Sequence, residues 1–248
     1  MERIENVFIA KRMLIDNIYR SAKLEGLSVT YAQTIDIIEN ISTDVVPSAI
    51  NDIINLKNGW RYILENLDLD LDLALIKNCH NIIGRGMDIP FYEIGEFRRG
   101  AVGIGGTTWR PEFPDTEKLH AELMKIKEIS SIEDRAIALF CWVMRSQMFR
   151  DGNKRVANLV ANFELIRNGA GLISVPEQDV PSFKKLLVEY YETNDISALS
   201  SFLKEKCYYD DMEFLSRSDR KERCEDRVSV PFLDTLKSME TNADKLSK

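Results

Sequence analysis

Apolar residues recur every three or four positions along most of the chain, which is the pattern of amphipathic α-helices. In the first such stretch, over residues 6–25, Ile9, Ile18 and Leu24 recur at near-helical spacing, and Gly26 ends the helix. A second helix is predicted to begin after Thr30. The same periodicity predicts further helices over residues 44–66, 72–84, 116–128, 131–148, 153–168, 181–193 and 195–207. The sequence therefore predicts a mainly α fold, with the helices at 131–148 and 153–168 in the centre of the core.

Residues 95–110 interrupt this periodicity. They alternate around Val102 and Ile104, and Gly105-Gly106 supplies the positive φ angles that a tight turn requires. This pattern predicts one short β-hairpin. Because two strands alone are not stable in water, the hairpin must lie against the helices.

The composition is that of a globular chain of one or two domains. With 33 Lys and Arg against 40 Asp and Glu, the net charge is −7, which argues against a nucleic-acid partner because backbone binding needs a basic surface. No signal peptide or transmembrane stretch is evident, so we expect a cytoplasmic protein that does not bind membranes. The cysteines are too far apart for a zinc knuckle, and Cys79 and Cys141 are predicted to lie in the core.

The composition changes near the C-terminus of the chain, where charged residues of both signs become frequent. Residues 1–207 are predicted to form one domain, and residues 208–248 a charged, solvated extension. The extension has no basic recognition helix, so no DNA-binding module is expected there.

The candidate chemistry lies in the polar break between the two core helices, which reads Phe149-Arg150-Asp151-Gly152-Asn153-Lys154-Arg155. Physically this is a turn followed by a helix N-terminus, where the free N–H groups of Gly152, Asn153 and Lys154 and the helix dipole favour an anion. Arg155 adds a forked cation that suits phosphate oxygens, and Asp151 could hold Mg²⁺ beside them. The segment predicts a nucleotide-phosphate site. The alternative is a plain loop in which Asp151 or Asn153 caps the helix.

This segment resembles the signature of the Fic family (Fic/Doc, or Fido, fold), whose pattern is His-x-Phe-x-[Asp/Glu]-Gly-Asn-[Gly/Lys]-Arg-x-x-Arg. Phe149 and the run from Asp151 to Arg155 match it in order and spacing. The predicted hairpin resembles the Fic flap, which aligns a target peptide by strand addition, here through Ile104, Gly105, Gly106 and Thr107. The N-terminal helix resembles the family's inhibitory helix, [Ser/Thr]-x-x-x-Glu-[Gly/Asn], at Ser21, Glu25 and Gly26.

The resemblance implies a Fido-type helical bundle with one short β-hairpin flap. It also implies a protein adenylyltransferase, which transfers AMP from ATP with Mg²⁺ to a hydroxyl of a target protein that the sequence does not identify. In such an enzyme the residues at the phosphate site would be Gly152, Asn153, Lys154, Arg155 and Asn158, with Asp151 toward Mg²⁺. The inhibitory residues would be Ser21, Glu25 and Gly26.

Two departures from the family pattern change this expectation. Gln147 stands where the family has the histidine that takes the proton from the target hydroxyl, and an amide cannot take a proton near neutral pH. Losing such a base costs about 10²–10⁴ in rate, and neither His80 nor His120 stands at that position. Asn158 replaces the final arginine, with which the inhibitory glutamate pairs in the family. Glu25 would therefore have to pair with Lys154 or Asn158.

Three functions remain open from the sequence. The first is an adenylyltransferase that is inhibited by Glu25 and is either weak or uses another base. The second is an inactive Fic module that binds a nucleotide or a protein as a regulator. The third is transfer of phosphate, because the Gly-Asn-Lys-Arg form also resembles the Doc branch of the family. The sequence leaves a homo-oligomer possible.

Overall fold

Ten α-helices dominate residues 1–209, which are the residues described by the computed structural model. In chain order they are α1 (Arg3–Arg12), α2 (Leu14–Glu25), α3 (Tyr31–Ile38), α4 (Pro47–Glu65), α5 (Leu73–Ile83), α6 (Thr116–Lys127), α7 (Ile132–Ser146), α8 (Asn153–Arg167), α9 (Val180–Thr193) and α10 (Ser197–Lys206). Short 3₁₀ turns lie at Phe91–Glu93 and Glu177–Asp179, and β1 (Leu172–Ile173) pairs antiparallel with β2 (Tyr208–Tyr209). The predicted mainly α fold is confirmed. The predicted extension lies outside the described residues, apart from its first two.

The centre of the domain is the pair α7 and α8, which pack against each other more extensively than any other two described elements. α8 is buried on all sides over nearly its whole length, and it also contacts α1, α2, α4, α5 and β1. This explains why its sequence is apolar beyond a single stripe. Because so many helices surround α8, side chains from α2, α4 and α5 can reach its N-terminus.

The N-terminal segment forms two helices rather than the one predicted over residues 6–25. α1 ends at Arg12, and α2 begins at Leu14, with Met13 between them as the cap of both helices. α1 is fastened to the far end of α8, because the Asn6 side chain exchanges two hydrogen bonds with the backbone of Gly171. α2 ends as predicted at Gly26, which has φ +85°, so Glu25 is its last helical residue.

The hairpin predicted at residues 95–110 does not form a strand ladder. A turn is present at Gly105–Gly106, but the flap segment, residues 100–114, contains no strand. Its backbone is held instead by the buried guanidinium of Arg98, which donates to the carbonyls of Gly100 (2.8 Å), Pro111 (3.4 Å) and Glu112. One side chain thus satisfies three backbone carbonyl groups of the flap segment.

The predicted burial of Cys79 and Cys141 in the core is confirmed. Cys79 and Cys141 are fully buried, and burial raises the pKa of both thiols, that of Cys79 to about 12. Within residues 1–209, no helix combines the length and the apolar character needed to cross a membrane.

Candidate functional site

The segment between α7 and α8, here called the signature loop (residues 147–153), makes a tight turn with two left-handed residues. Gln147 ends α7 at φ +44°, and Gly152 is the N-cap of α8 at φ +79°. A Cβ atom on Gly152 would lie 3.2 Å from both Ile83 Cδ1 and Met87 Cε, so the space as well as the φ angle favours glycine. Gly152 has no side chain with which to cap the first-turn N–H groups of α8. That terminus is therefore suited to an anion.

Asn153 is the internal brace of the signature loop. Its Oδ1 accepts from the Phe149 N–H (3.0 Å), and its Nδ2 donates to the Phe149 carbonyl (2.8 Å) and to Gln147 Oε1 (3.3 Å). The alternative capping role predicted for Asp151 or Asn153 is not what the structure shows. Asp151 Oδ1 instead accepts from the N–H of Gly152 (2.6 Å), the residue that follows it.

The Gln147 side chain is engaged at both ends of its amide. Its Nε2 donates to the Met144 carbonyl (2.6 Å) and to the Tyr191 hydroxyl (3.3 Å), while its Oε1 accepts from Asn153. An amide has two donor hydrogens, and both are used here. Gln147 therefore caps the last turn of α7 and links it to α9.

His80 supports the signature loop from beneath, although it is 67 positions before Gln147 in the sequence. Its ring is stacked on Phe149 with centroids 3.9 Å apart, and it is completely buried. Nδ1 accepts from the Gly95 N–H (2.9 Å), so the proton is on Nε2, which donates to the Asp151 carbonyl (3.1 Å). Burial lowers the pKa of His80 to about 4, so the ring is neutral. With both nitrogens occupied, His80 is a structural support and not a free base.

His120, the other histidine, is exposed on α6, which packs on the outside of α7. The structure therefore brings one histidine to the signature loop, and that one has no free ring nitrogen. This agrees with the expectation that neither histidine takes the place of Gln147.

Two cations follow Gly152, and each has an acidic partner. Lys154 Nζ lies 3.0 Å from Glu25 Oε2, at the C-terminus of α2. Arg155 Nη1 donates to Asp52 Oδ1 of α4 (2.8 Å), and Nη2 lies 3.5 Å from Asp151 Oδ2. The sequence left Lys154 and Asn158 open as partners of Glu25, and the structure pairs it with Lys154.

Two buried atoms in this cluster of charges have no hydrogen bond within residues 1–209. Arg155 Nε and Glu25 Oε1 are 3.9 Å apart, both are buried, and neither has a hydrogen-bond partner among the described residues. The two side chains are only 6% and 11% exposed. Buried charged groups normally have hydrogen-bond partners, so this arrangement can be relieved by a ligand, a water molecule or a movement of Glu25.

Asn158 lies away from this cluster. Its Nδ2 donates to the Ile173 carbonyl of β1 (3.3 Å), its Oδ1 is buried without a partner, and the residue is 4% exposed. It is therefore part of the packing between α8 and β1. Ser21, one turn before Glu25, is also buried on α2.

The flap segment lies against α9. Thr107 Oγ1 donates to the Glu192 carboxylate (2.9 Å), Gly106 approaches Val188, and Ile104 is half-buried. Trp109 stacks on Tyr191 with centroids 5.4 Å apart, and the Tyr191 hydroxyl contacts Gln147. The flap segment and the signature loop are thus joined through one tyrosine.

Two further arginines tie the flap side of the molecule to the signature loop. Arg98 donates from Nε to the Gln147 carbonyl (2.7 Å), and its backbone N–H donates to the Met148 carbonyl (2.9 Å). Arg150 donates twice to the buried carboxylate of Glu93, which lowers the pKa of that carboxyl. Sequence reasoning did not identify the roles of Arg98, Glu93 or Asp52, because their partners are remote along the chain and follow no local motif.

Asp151 fits the role of a metal ligand beside a bound phosphate. Its carboxylate is 56% exposed, so it can be reached from solvent. Magnesium sites in nucleotide-binding proteins use one or two carboxylates, with phosphate oxygens and waters completing the shell. Within residues 1–209 no group of three or more acidic, histidine or cysteine side chains could hold a metal alone. The donor set therefore suits a cation that arrives with the phosphate.

A cavity of about 450 Å³ opens on the other side of Ser146, between the flap segment, α6, α7 and α9. The Arg145 guanidinium projects beside it, 4.8 Å from the centroid of the Trp109 ring. None of residues 151–155 lines this cavity. It adjoins the signature loop but does not include the first turn of α8.

Comparison with known proteins agrees with this geometry. Residues 70–165, from just before α5 to the last turn of α8, match the model of the Fic/DOC family. No curated protein matches the chain in sequence. The matched region contains the signature loop and the flap segment but not α2 or α4.

Three solved structures share the fold, each at less than 20% identity. A Fic domain containing signaling protein from Bacteroides thetaiotaomicron has TM-score 0.63 and 18% identity, over 82% of this chain and 84% of that chain. Fic-1 from C. elegans has TM-score 0.62 and 18% identity, over 79% of this chain and 60% of that one. A Fic family protein from Desulfovibrio desulfuricans has TM-score 0.59 and 19% identity, over 82% and 65%. This chain spans less than two thirds of the length of the latter two.

Proposed function

We propose, from the match of residues 70–165 to the Fic/DOC family and from the signature loop, that this protein binds ATP with Mg²⁺ as a Fic-type adenylyltransferase. We propose further that Glu25 inhibits it and that its transfer activity is weak because Gln147 replaces the catalytic histidine. The observation that carries the inhibition is the 3.0 Å contact between Glu25 and Lys154 at the N-terminus of α8.

The phosphates would bind at the first turn of α8. The N–H groups there have no capping side chain, which leaves them able to donate to an anion. Lys154 would then contact a phosphate oxygen in place of Glu25, while Asp151 would hold Mg²⁺, which neutralises phosphate charge when it is bound.

In the transfer itself, the target hydroxyl oxygen attacks the α-phosphorus, the bond to pyrophosphate breaks, and the hydroxyl proton must leave. Gln147 does not accept that proton near neutral pH. Its amide is also held by Met144, Tyr191 and Asn153, which leaves it no free donor for the hydroxyl. The proton would have to pass to solvent or to a phosphate oxygen, so transfer is expected to be slower by about 10²–10⁴ than with a histidine.

The same hydrogen bonds favour a second candidate, a Fic module that binds a nucleotide and does not transfer it. Here the Gln147 amide serves to join α7, α9 and the signature loop, and the module would act as a regulator that responds to nucleotide. Phosphate transfer of the Doc kind is the third possibility. It too would proceed without a histidine base.

Isothermal titration of ATP with Mg²⁺ tests the binding. We expect weak binding by the unmodified protein and binding about tenfold tighter by Glu25→Gln, because this isosteric change removes the charge that neutralises Lys154. The matched control is Glu177→Gln. Glu177 Oε1 lies 3.1 Å from Nζ of Lys23, which is on α2 like Glu25, so this change also removes one carboxylate charge beside that helix. No binding by either the unmodified protein or Glu25→Gln would refute the proposal.

Label transfer separates the three functions. The Glu25→Gln protein is incubated with ATP labelled at the α- or the γ-phosphate and with a cell extract as the source of hydroxyl acceptors. Transfer of α-label supports the adenylyltransferase, and transfer of γ-label supports the phosphotransferase. Binding without transfer of either label supports the regulator, provided that Gln147→His in the same background restores α-label transfer.

A further inference from the structure

Arg155 is one of the two cations at the proposed phosphate site, yet its guanidinium is directed at carboxylates of the protein itself. Nη1 donates to Asp52 at 2.8 Å. The other two nitrogens are farther from their carboxylates, with Nη2 3.5 Å from Asp151 and Nε 3.9 Å from Glu25. The side chain is 6% exposed, so it has little freedom to turn toward an incoming phosphate. The best hydrogen bond of Arg155 is therefore with Asp52.

Asp52 is held in place by the anchoring of α4. Asn51 and Asn55, on either side of it, both donate to the Arg85 carbonyl in the turn after α5, at 2.8 and 2.5 Å. A Cβ atom on Gly86 in that turn would lie 2.2 Å from Asn51 Nδ2, so the turn and the helix are in close contact. The carboxylate of Asp52 is thus presented to Arg155 by a fixed backbone.

In the arrangement that the structure shows, the charges around the first turn of α8 do not favour the binding of an anion. Lys154 and Arg155 face Glu25, Asp52 and Asp151, so two positive charges meet three negative ones. Removing Glu25 leaves Lys154 without an acidic partner among residues 1–209 but leaves Asp52 on Arg155. Two different helices, α2 and α4, therefore each neutralise one cation of the site.

We propose that Asp52 is a positioning residue that holds Arg155 out of the phosphate site, so that the site is closed by two acids and opens fully only when both release their cations. This rests on the proposed function and extends it to the regulation of the same site. Its consequence is that loss of Glu25 alone opens the site in part, because Arg155 remains paired with Asp52.

The experiment measures binding of two probes, ATP with Mg²⁺ and inorganic pyrophosphate, by isothermal titration. The proteins are Glu25→Gln, Glu25→Gln with Asp52→Asn, and Glu25→Gln with Asp52→Glu. The control is Asp68→Asn in the Glu25→Gln background, because Asp68 is an exposed aspartate also paired with an arginine at 2.8 Å. Thermal unfolding verifies that each variant is folded.

We expect Asp52→Asn to tighten pyrophosphate binding about tenfold relative to Glu25→Gln alone, which is the size of one charge-assisted contact. Asp52→Glu, which keeps the charge, and Asp68→Asn should leave the affinity unchanged. A merely structural role would not distinguish Asn from Glu in this way.

Other outcomes separate the two proposals. If Glu25→Gln binds ATP and Asp52→Asn adds nothing or weakens binding, the role of Asp52 is overturned and the proposed function stands. If no variant binds ATP but pyrophosphate binding still rises with Asp52→Asn, the role of Asp52 stands and the nucleotide function is overturned. If no variant binds either probe, both proposals are overturned.

Discussion

The neutral, buried state of His80 predicts that the protein loses stability in mild acid. Burial lowers the pKa of His80 from its ordinary value near 6.5 to about 4, and the nearby Arg155 charge acts in the same direction. The bond from Nε2 to the Asp151 carbonyl opposes this but is the smaller effect. Between these two pKa values the unfolded chain binds a proton that the folded protein does not, so the free energy of unfolding falls as the pH is lowered.

The size of this effect follows from the two pKa values. Each pKa unit corresponds to about 1.4 kcal/mol, so His80 contributes about 3 kcal/mol that is present above pH 6.5 and lost by pH 4. About 2 kcal/mol of it is lost by pH 5, which keeps the experiment within a convenient range. Protonation would place a second N–H on Nδ1, where it would face the N–H of Gly95.

The assay is urea unfolding of the unmodified protein and of His80→Gln at pH 7 and pH 5, without added metal. The variant should be less stable at pH 7 by about 1–3 kcal/mol, because the ring and its two hydrogen bonds are lost. Between the two pH values, however, it should lose about 2 kcal/mol less than the unmodified protein. Carboxylates that titrate in the same range contribute equally to both proteins and cancel in this difference.

His120→Gln is the control, since it removes the exposed histidine on α6 and should reproduce the pH profile of the unmodified protein. An equal loss of stability in His80→Gln and in the unmodified protein would refute the assignment of His80 as a neutral, buried support.

Three further substitutions probe the scaffold of the site. Arg98→Met should lower the free energy of unfolding by about 2–4 kcal/mol, because carbonyls in the flap segment and the signature loop lose their donor, and this is measured by urea unfolding. Asn153→Ala should cost about 1–3 kcal/mol and weaken ATP binding in titration, because the signature loop loses its brace. Glu93→Gln should lower the midpoint of thermal unfolding, because it removes the charge of a buried carboxylate that accepts two hydrogen bonds from Arg150.

Controls for these substitutions lie close at hand. Arg99→Met changes the exposed neighbour of Arg98 and should cost little, since this side chain is in solvent and lies over the Tyr92 ring. An Arg98→Met protein as stable as Arg99→Met would contradict the role assigned to Arg98. Unchanged ATP affinity in Asn153→Ala would show that the signature loop keeps its shape without the brace.

The helices and the signature loop could be predicted because their causes are local. Apolar spacing of three to four residues requires a helix to bury one face, and a glycine with positive φ ends α2 at Gly26 or begins α8 after Gly152. The cations Lys154 and Arg155 lie in the first turn of α8 for the same local reason. These features depend on neighbours within about one helical turn.

The hairpin was one local prediction that proved wrong. Alternation around Val102 and Ile104 is compatible with strands, but a ladder forms only where no better partners exist for the carbonyl groups. Arg98 supplied donors for the carbonyls of Gly100 and Glu112, and its buried position depends on packing against the signature loop.

Tertiary structure alone decided which charges and hydrogen bonds meet at the N-terminus of α8. The pairs Asp52–Arg155 and Glu25–Lys154 join residues more than 100 positions apart, so no spacing in the sequence announces them. The sequence by itself determined the helical class, the turn and its cations. Packing decided that three carboxylates neutralise those cations and that His80 is a neutral support. The reason is that burial and long-range contacts set the partners of a charge, whereas the local sequence sets only its place on a helix.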